Sequence, residues 1–156
     1  METNNLTYNE IYREKIIPII TQEDKDTCSR ILTLSNSLYK GDGNKHIHSI
    51  IEYSDFLIFY SNQDSIVAFA LVKSMSKKKG KVLNILLACV VPKNNFSKLL
   101  ADSLYNFAVK YKYPFLYVSP RTPELRETFI NYEFESIYGR EGIDEVLEKE
   151  IDTLLE

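Results

Sequence analysis

Val82-Leu83-Asn84-Ile85-Leu86-Leu87-Ala88-Cys89-Val90-Val91, closed by Pro92, is a nearly continuous apolar run of strand length. Apolar residues on both alternating sets leave neither face of a strand fit for water, so the run reads as a central strand covered on both sides. Working upstream, Phe56-Leu57-Ile58-Phe59-Tyr60 and Ile66-Val67-Ala68-Phe69-Ala70-Leu71-Val72 flank the polar Ser61 to Ser65, a hairpin pattern. Lys77-Lys78-Lys79-Gly80-Lys81 makes the next turn. Downstream, Leu100, Leu104, Phe107, Ala108 and Tyr111 recur at helical spacing behind Ser97, which can cap that helix. Pro114 closes it, and Phe115-Leu116-Tyr117-Val118 is a further short strand.

The outer segments complete the pattern. Ile16, Ile17, Ile19 and Ile20 surround Pro18, which removes a ladder donor and so suits an edge strand. Thr21, followed by Gln22, Glu23 and Asp24, opens a helix whose face holds Cys28, Ile31, Leu32, Leu34 and Leu38, stopped by Gly41-Asp42-Gly43-Asn44. A short helix is expected around Ile47, Ile50 and Ile51. Thr122 and Pro123 make an N-cap with proline at the first helical position, opening a helix through about Tyr132, and Phe134 to Tyr138 returns as a strand. In the tail, Ile143, Val146, Leu147, Ile151, Leu154 and Leu155 recur among acidic residues, which predicts an amphipathic C-terminal helix over 143–156.

With 156 residues, 44% of them hydrophobic, and no linker or repeat, the chain reads as one domain over 1–156. Its eleven Tyr and eight Phe supply much of the packing volume. The net charge of −3 gives no electropositive field to gather nucleic acid or anionic lipid, so neither is an expected partner. Cys28 and Cys89 have neither the number nor the clustering of a disulfide framework or a zinc site and read as reduced. No apolar stretch approaches the roughly 20 residues of a membrane span, and the polar start lacks a basic-then-apolar leader, so a cytoplasmic location is expected.

The element order strand, helix, short helix, hairpin, long central strand, helix, strand, helix resembles the GCN5-related N-acetyltransferase superfamily, with Asp55 to Phe134 carrying the likeness. In that family the central strand ends in a Val-x-Pro boundary, here Val90-Val91-Pro92, and the next helix receives the acetyl-CoA pyrophosphate at its N-terminus. The frame Leu125, Thr128, Phe129, Glu133 and Phe134 matches the spacing of the family's aromatic-Tyr-x-x-x-Gly-Phe pattern. The resemblance implies an α/β (α+β) fold: a mixed, mostly antiparallel central sheet flanked by helices. It implies a strand like Tyr113 to Val118 that splays from the central one to admit the pantetheine arm, and a site for acetyl-CoA or another acyl-CoA at Cys89, Val90, Val91, Lys93, Asn94, Asn95, Phe96, Ser97 and Lys98. It further implies direct acyl transfer to an amine of a small molecule or protein, and a homodimer pairing through the C-terminal region.

The departures bear on chemistry. The family's Arg/Gln-x-x-Gly-x-Gly/Ala loop is replaced by the glycine-free Lys93-Asn94-Asn95-Phe96-Ser97-Lys98, where lysine charge and helix amides must stand in for a glycine nest. Phe129 occupies the position of the Tyr that protonates the departing thiolate, and the central strand has only Lys81, Asn84 and Cys89 as polar members, so no acid or base is in place. The alternative left open is a catalytically inactive binding or assembly module. Tyr117, Tyr132 and Tyr138 are candidate replacement acids, or packing residues with tethered hydroxyls. His46 and His48 lack the further ligands of a metal site and read as helix-start histidines, so no metal is expected. Lys77 to Lys81 reads as a solvated turn, and Cys89 as a small buried hydrophobe more than a nucleophile.

Overall fold

The computed structural model describes residues 12–33, 44–61, 65–78, 80–91 and 95–151. Among the described residues seven strands form one sheet in the order β1-β2-β3-β4-β5-β7-β6. They are β1 (Arg13–Pro18), β2 (Phe56–Ser61), β3 (Ile66–Lys77), β4 (Gly80–Val90), β5 (Phe115–Val118), β6 (Glu135–Tyr138) and β7 (Val146–Glu150). The described helices are α1 (Gln22–Thr33), α2 (Asn44–Tyr53), α3 (Phe96–Lys110) and α4 (Pro123–Asn131). All strand pairs are antiparallel except β4 with β5. The long apolar run is central, as its composition requires, and β1 lies at an edge with Pro18 opposite Phe56 at the last position of its ladder.

Strand alternation sends side chains into two cores. Ile58, Val72, Leu83 and Ile85 pack with Leu100, Leu104 and Phe107 of α3 and with Leu125 and Phe129 of α4. Leu57, Phe59, Phe69 and Leu71 pack on the other face with Cys28 and Leu32 of α1 and Ile47 and Ile51 of α2. Strand β4 changes phase between them: Leu83 and Ile85 belong to the first core, Leu87 and Cys89 to the second. The cause is a bulge, since Val72 faces Ile85 and Leu71 faces Leu87, leaving Leu86 as the extra residue. Helix α1 starts as its sequence dictates. Asp24 N–H donates to Thr21 Oγ1 at 3.1 Å, and Thr21 N–H donates back to Asp24 Oδ2 at 2.9 Å. Leu34 and Leu38, expected to continue this helix, lie outside the described residues.

Two expectations are corrected. The C-terminal segment is not a helix where it is described: residues 140–144 make a turn and Val146–Glu150 is strand β7, paired with β5 and β6. The i, i+3, i+4 pattern there depended on Ile151, Leu154 and Leu155 as well as Val146 and Leu147, whereas two strands with open edges offer the backbone a ladder on each side. Leu147 is fully buried between them and Ile143 is left exposed; residues 152–156 lie outside the described set. Helix α3 begins at Phe96 with Asn95 as its cap residue, so Ser97 is a first-turn residue and not the cap.

Candidate functional site

The ladder between β4 and β5 holds only from Val82–Phe115 to Ile85–Val118. Beyond it β4 runs on to Val90, still paired with β3 on its other side, through Leu71–Leu87, Ala70–Ala88, Phe69–Cys89 and Ala68–Val90. The chain after β5 turns off through Ser119, Pro120 and Arg121. A cavity of about 330 Å³ opens at the parting, walled by Leu86 and Leu87 of β4, Ile50 of α2, Arg121, Ile143 and Glu145. The bulge at Leu86 thus sits where the two strands separate.

A second cavity of about 330 Å³ lies at the start of α3, lined by Asn95, Ser97 and Lys98 together with Thr128, Asn131 and Tyr132 of the α4 region. Asn95 adopts φ 59°, ψ 30°, and its side chain makes no capping hydrogen bond. The first intrahelical bonds are those of Lys98 and Leu99 to the Asn95 carbonyl, at 3.1 and 3.2 Å. The helix end carries the positive end of the helix dipole. Lys98 adds a cation, 3.5 Å from Asp102 and 6.0 Å from the Tyr132 ring. The Ser97 and Thr128 hydroxyls, 2.9 Å apart, hydrogen-bond to each other and tie α3 to α4. A third opening, of about 260 Å³, continues past Asn131 and Tyr132 to Tyr105 and Lys149.

The expected cofactor residues are distributed unevenly. Asn95, Ser97 and Lys98 line the cavity at the helix end. Phe96 turns its ring into the core, edge-on to Tyr12 at 5.1 Å. Val90 and Val91 are half-buried at the end of β4, with Val91 N–H held by the Val67 carbonyl at 2.8 Å. Cys89 is buried, and burial pushes its thiol up to about 11. A thiol of that kind is inert at neutral pH. Lys93 and Asn94 lie outside the described residues.

Phe129 is buried against Phe134, ring centres 5.0 Å apart, and is a core residue. Of the tyrosines, Tyr132 lines the helix-end cavities, Tyr117 lies buried under the Lys77 ammonium at 4.9 Å, and Tyr138 is exposed on the edge strand. His48 Nδ1 is 2.8 Å from Ser29 Oγ, joining α1 to α2; the His46 side chain is not among those described. Lys81 lies 4.5 Å over the Tyr113 ring, so the basic turn covers aromatic faces that are themselves buried.

Sequence reasoning missed the far wall of the first cavity. Glu145 is buried, yet its two oxygens accept from Arg126 Nε at 2.7 Å and Nη2 at 3.1 Å. The Arg126 hydrogen bond, and then one from Ser136, hold its carboxyl below the usual range. Gly139 makes the return loop possible: φ is 80°, and a Cβ there would collide with the Asp144 carbonyl. No local pattern marks Arg126 and Glu145, 19 positions apart, as partners.

No protein-family model matches the chain, and no curated protein matches it by sequence. Solved structures do match by shape. An IAA acetyltransferase from Bacillus cereus ATCC 14579 aligns with a TM-score of 0.63 at 12% identity, covering 89% of this chain and 99% of its own. An acetyltransferase of the GNAT family from Streptococcus pneumoniae aligns at 0.58 with 10% identity, covering 89% and 99%. The ribosomal-protein-S18-alanine N-acetyltransferase of Escherichia coli aligns at 0.57 with 14% identity, covering 88% and 94%. The chain has the GCN5-related N-acetyltransferase fold.

Proposed function

We propose that this chain, on its GCN5-related N-acetyltransferase fold, binds acetyl-CoA or another acyl-CoA where β4 and β5 part and transfers the acyl group directly to an amine. The observation that carries the reading is a β4–β5 ladder that stops at Ile85–Val118 while β4 continues to Val90 and leads into a helix with no side-chain cap. An extended, amide-bearing arm can add to an open strand edge through main-chain hydrogen bonds. A pyrophosphate suits the amide end of α3, with Asn95, Ser97 and Lys98 around it. In place of the family's glycine nest the helix end has Lys98, which offers side-chain charge instead of close backbone approach, with the Asn95 and Ser97 side chains beside it.

Bound there, the acyl-CoA supplies an activated thioester: the amine nitrogen bonds to the carbonyl carbon, the carbon–sulfur bond breaks, and CoA leaves as its thiol. The bulge at Leu86 releases a backbone group from the β3 ladder beside the cavity, where an amide can polarise the carbonyl. Cys89 takes no covalent part, because its thiol stays protonated. With Phe129 in the core, the proton lost by the amine passes to solvent water and the thiolate takes one from water. Positioning supplies the acceleration.

Titration calorimetry with acetyl-CoA tests the reading. Binding with a sub-millimolar Kd is expected, weakened about tenfold or more, roughly 1.4 kcal/mol, by Lys98→Glu and unchanged by Lys25→Glu, whose partner Glu52 is on α2. No heat at sub-millimolar acetyl-CoA overturns it.

A further inference from the structure

Beyond the helix-end cavity the groove between α3 and α4 runs on into the third opening, of about 260 Å³, lined by Tyr105, Asn131, Tyr132, Glu133 and Lys149. Asn131 and Tyr132 line both, so the two spaces share a wall. On α3, Lys98, Asp102 and Tyr105 are spaced by four and three residues and form one stripe, with Tyr105 about 10 Å along the axis from Lys98. On β7, Leu147 and Ile151 both enter the core beneath α3 and α4. Alternation therefore turns Lys149, which lies between them, toward the same groove and sends Glu148 and Glu150 to the opposite face.

The Lys149 ammonium sits 5.8 Å from the centre of the Tyr105 ring and makes no ion pair among the described residues. Lys98 stands 6.0 Å from the Tyr132 ring at the other end of the groove. Both tyrosines and Lys149 are half-buried. The acids nearby are Asp102, already 3.5 Å from Lys98, and Glu133, an exposed residue at the rim. The order along the groove is thus cation, aromatic faces, cation, with the Asn131 amide between as donor and acceptor. A ligand that answers it has an anion, a flat ring and a second anion in the same order. A nucleotide phosphorylated at two positions of its ribose is such a molecule, since its base stacks on an aromatic face and each phosphate pairs with an ammonium.

We infer that this groove takes the nucleotide end of the acyl-CoA, the base lying against Tyr105 and Tyr132 and the 3′-phosphate against Lys149, so that Lys149 selects the 3′-phosphorylated carrier over its dephospho form. This rests on the transferase reading above, which places the pyrophosphate at Lys98. Glu133 opposes the same phosphate from the rim and moderates the selection.

Titration calorimetry on the full chain with acetyl-CoA and acetyl-3′-dephospho-CoA tests it. The wild-type chain is expected to bind acetyl-CoA about tenfold more tightly than the dephospho form, the scale of one charge-assisted pair. Lys149→Gln is expected to bring the two dissociation constants together by weakening acetyl-CoA alone, and Glu133→Gln to widen the gap. Tyr105→Leu, which keeps the volume packed on the core, is expected to weaken both carriers alike, because each retains the base. Equal affinity for the two carriers in the wild-type chain overturns the inference while the acyl-CoA site stands, and this comparison needs no variant. Equal weakening of both carriers by Lys149→Gln overturns it as well, since Lys149 then supports the fold and not the phosphate. If neither carrier binds, the transferase reading falls and the nucleotide groove with it.

Discussion

Glu133 holds φ at 70°, in the left-handed region, immediately after the turn that ends α4, with its N–H bonded to the Ile130 carbonyl at 2.9 Å. The spacing of the segment places it where the related pattern has glycine, so the backbone conformation persists although the residue that accepts it without strain does not. Replacing Glu133 by glycine is expected to stabilise the protein by about 1 kcal/mol, the usual cost of a left-handed L residue, and to raise Tm by roughly 2–4 °C. Thermal denaturation checks it; a lower Tm would show that the Glu133 side chain contributes more than its backbone costs. Phe129, four residues earlier, is the converse case, with spacing kept and chemistry changed, because a buried ring needs only volume and an acid needs a hydroxyl.

At the scale of elements, the loop between β6 and β7 is pinned to α4 by Arg126 and Glu145, and that pin shapes one wall of the cavity where β4 and β5 part. The folded carboxyl lies below its ordinary value of 4.5, chiefly through Arg126. Stabilisation from this source is therefore present above that value and is lost as the pH falls through the folded one. Arg126→Gln is expected to lower the urea midpoint most at pH 6–7, with the gap to the wild-type chain narrowing as the pH is taken below 4.5. A gap constant from pH 3 to 7, read by urea titration, would mean that Arg126 acts through packing and not through charge. The same region shows why a helical pattern becomes a strand: as β7 the segment finds ladder partners in β5 and β6 on both sides and buries Leu147 between them.

At the scale of the whole molecule, one sheet carries two cores, and β4 contributes to both because Leu86 shifts its phase. Phe69→Ala in one core and Leu100→Ala in the other, both fully buried, are each expected to cost about 2–5 kcal/mol and to lower a single shared transition. Circular dichroism and Tyr fluorescence should trace coincident curves in both variants, and separated transitions would mean that the sheet faces unfold independently. No described helix is long and apolar enough to cross a membrane. The local order of elements from β1 to β6 was readable from periodicity, proline placement and caps such as Thr21 and Thr122, since these depend on residues three or four apart. The amide end of α3 was readable too, although its cap residue moved from Ser97 to Asn95. Tertiary structure alone decided the identity of the last strand, the bulge at Leu86, the point where β4 and β5 part, and the pairing of Arg126 with Glu145. Each depends on which distant segments meet, and the free energy that selects among those meetings belongs to the packed sheet and not to any one stretch of chain.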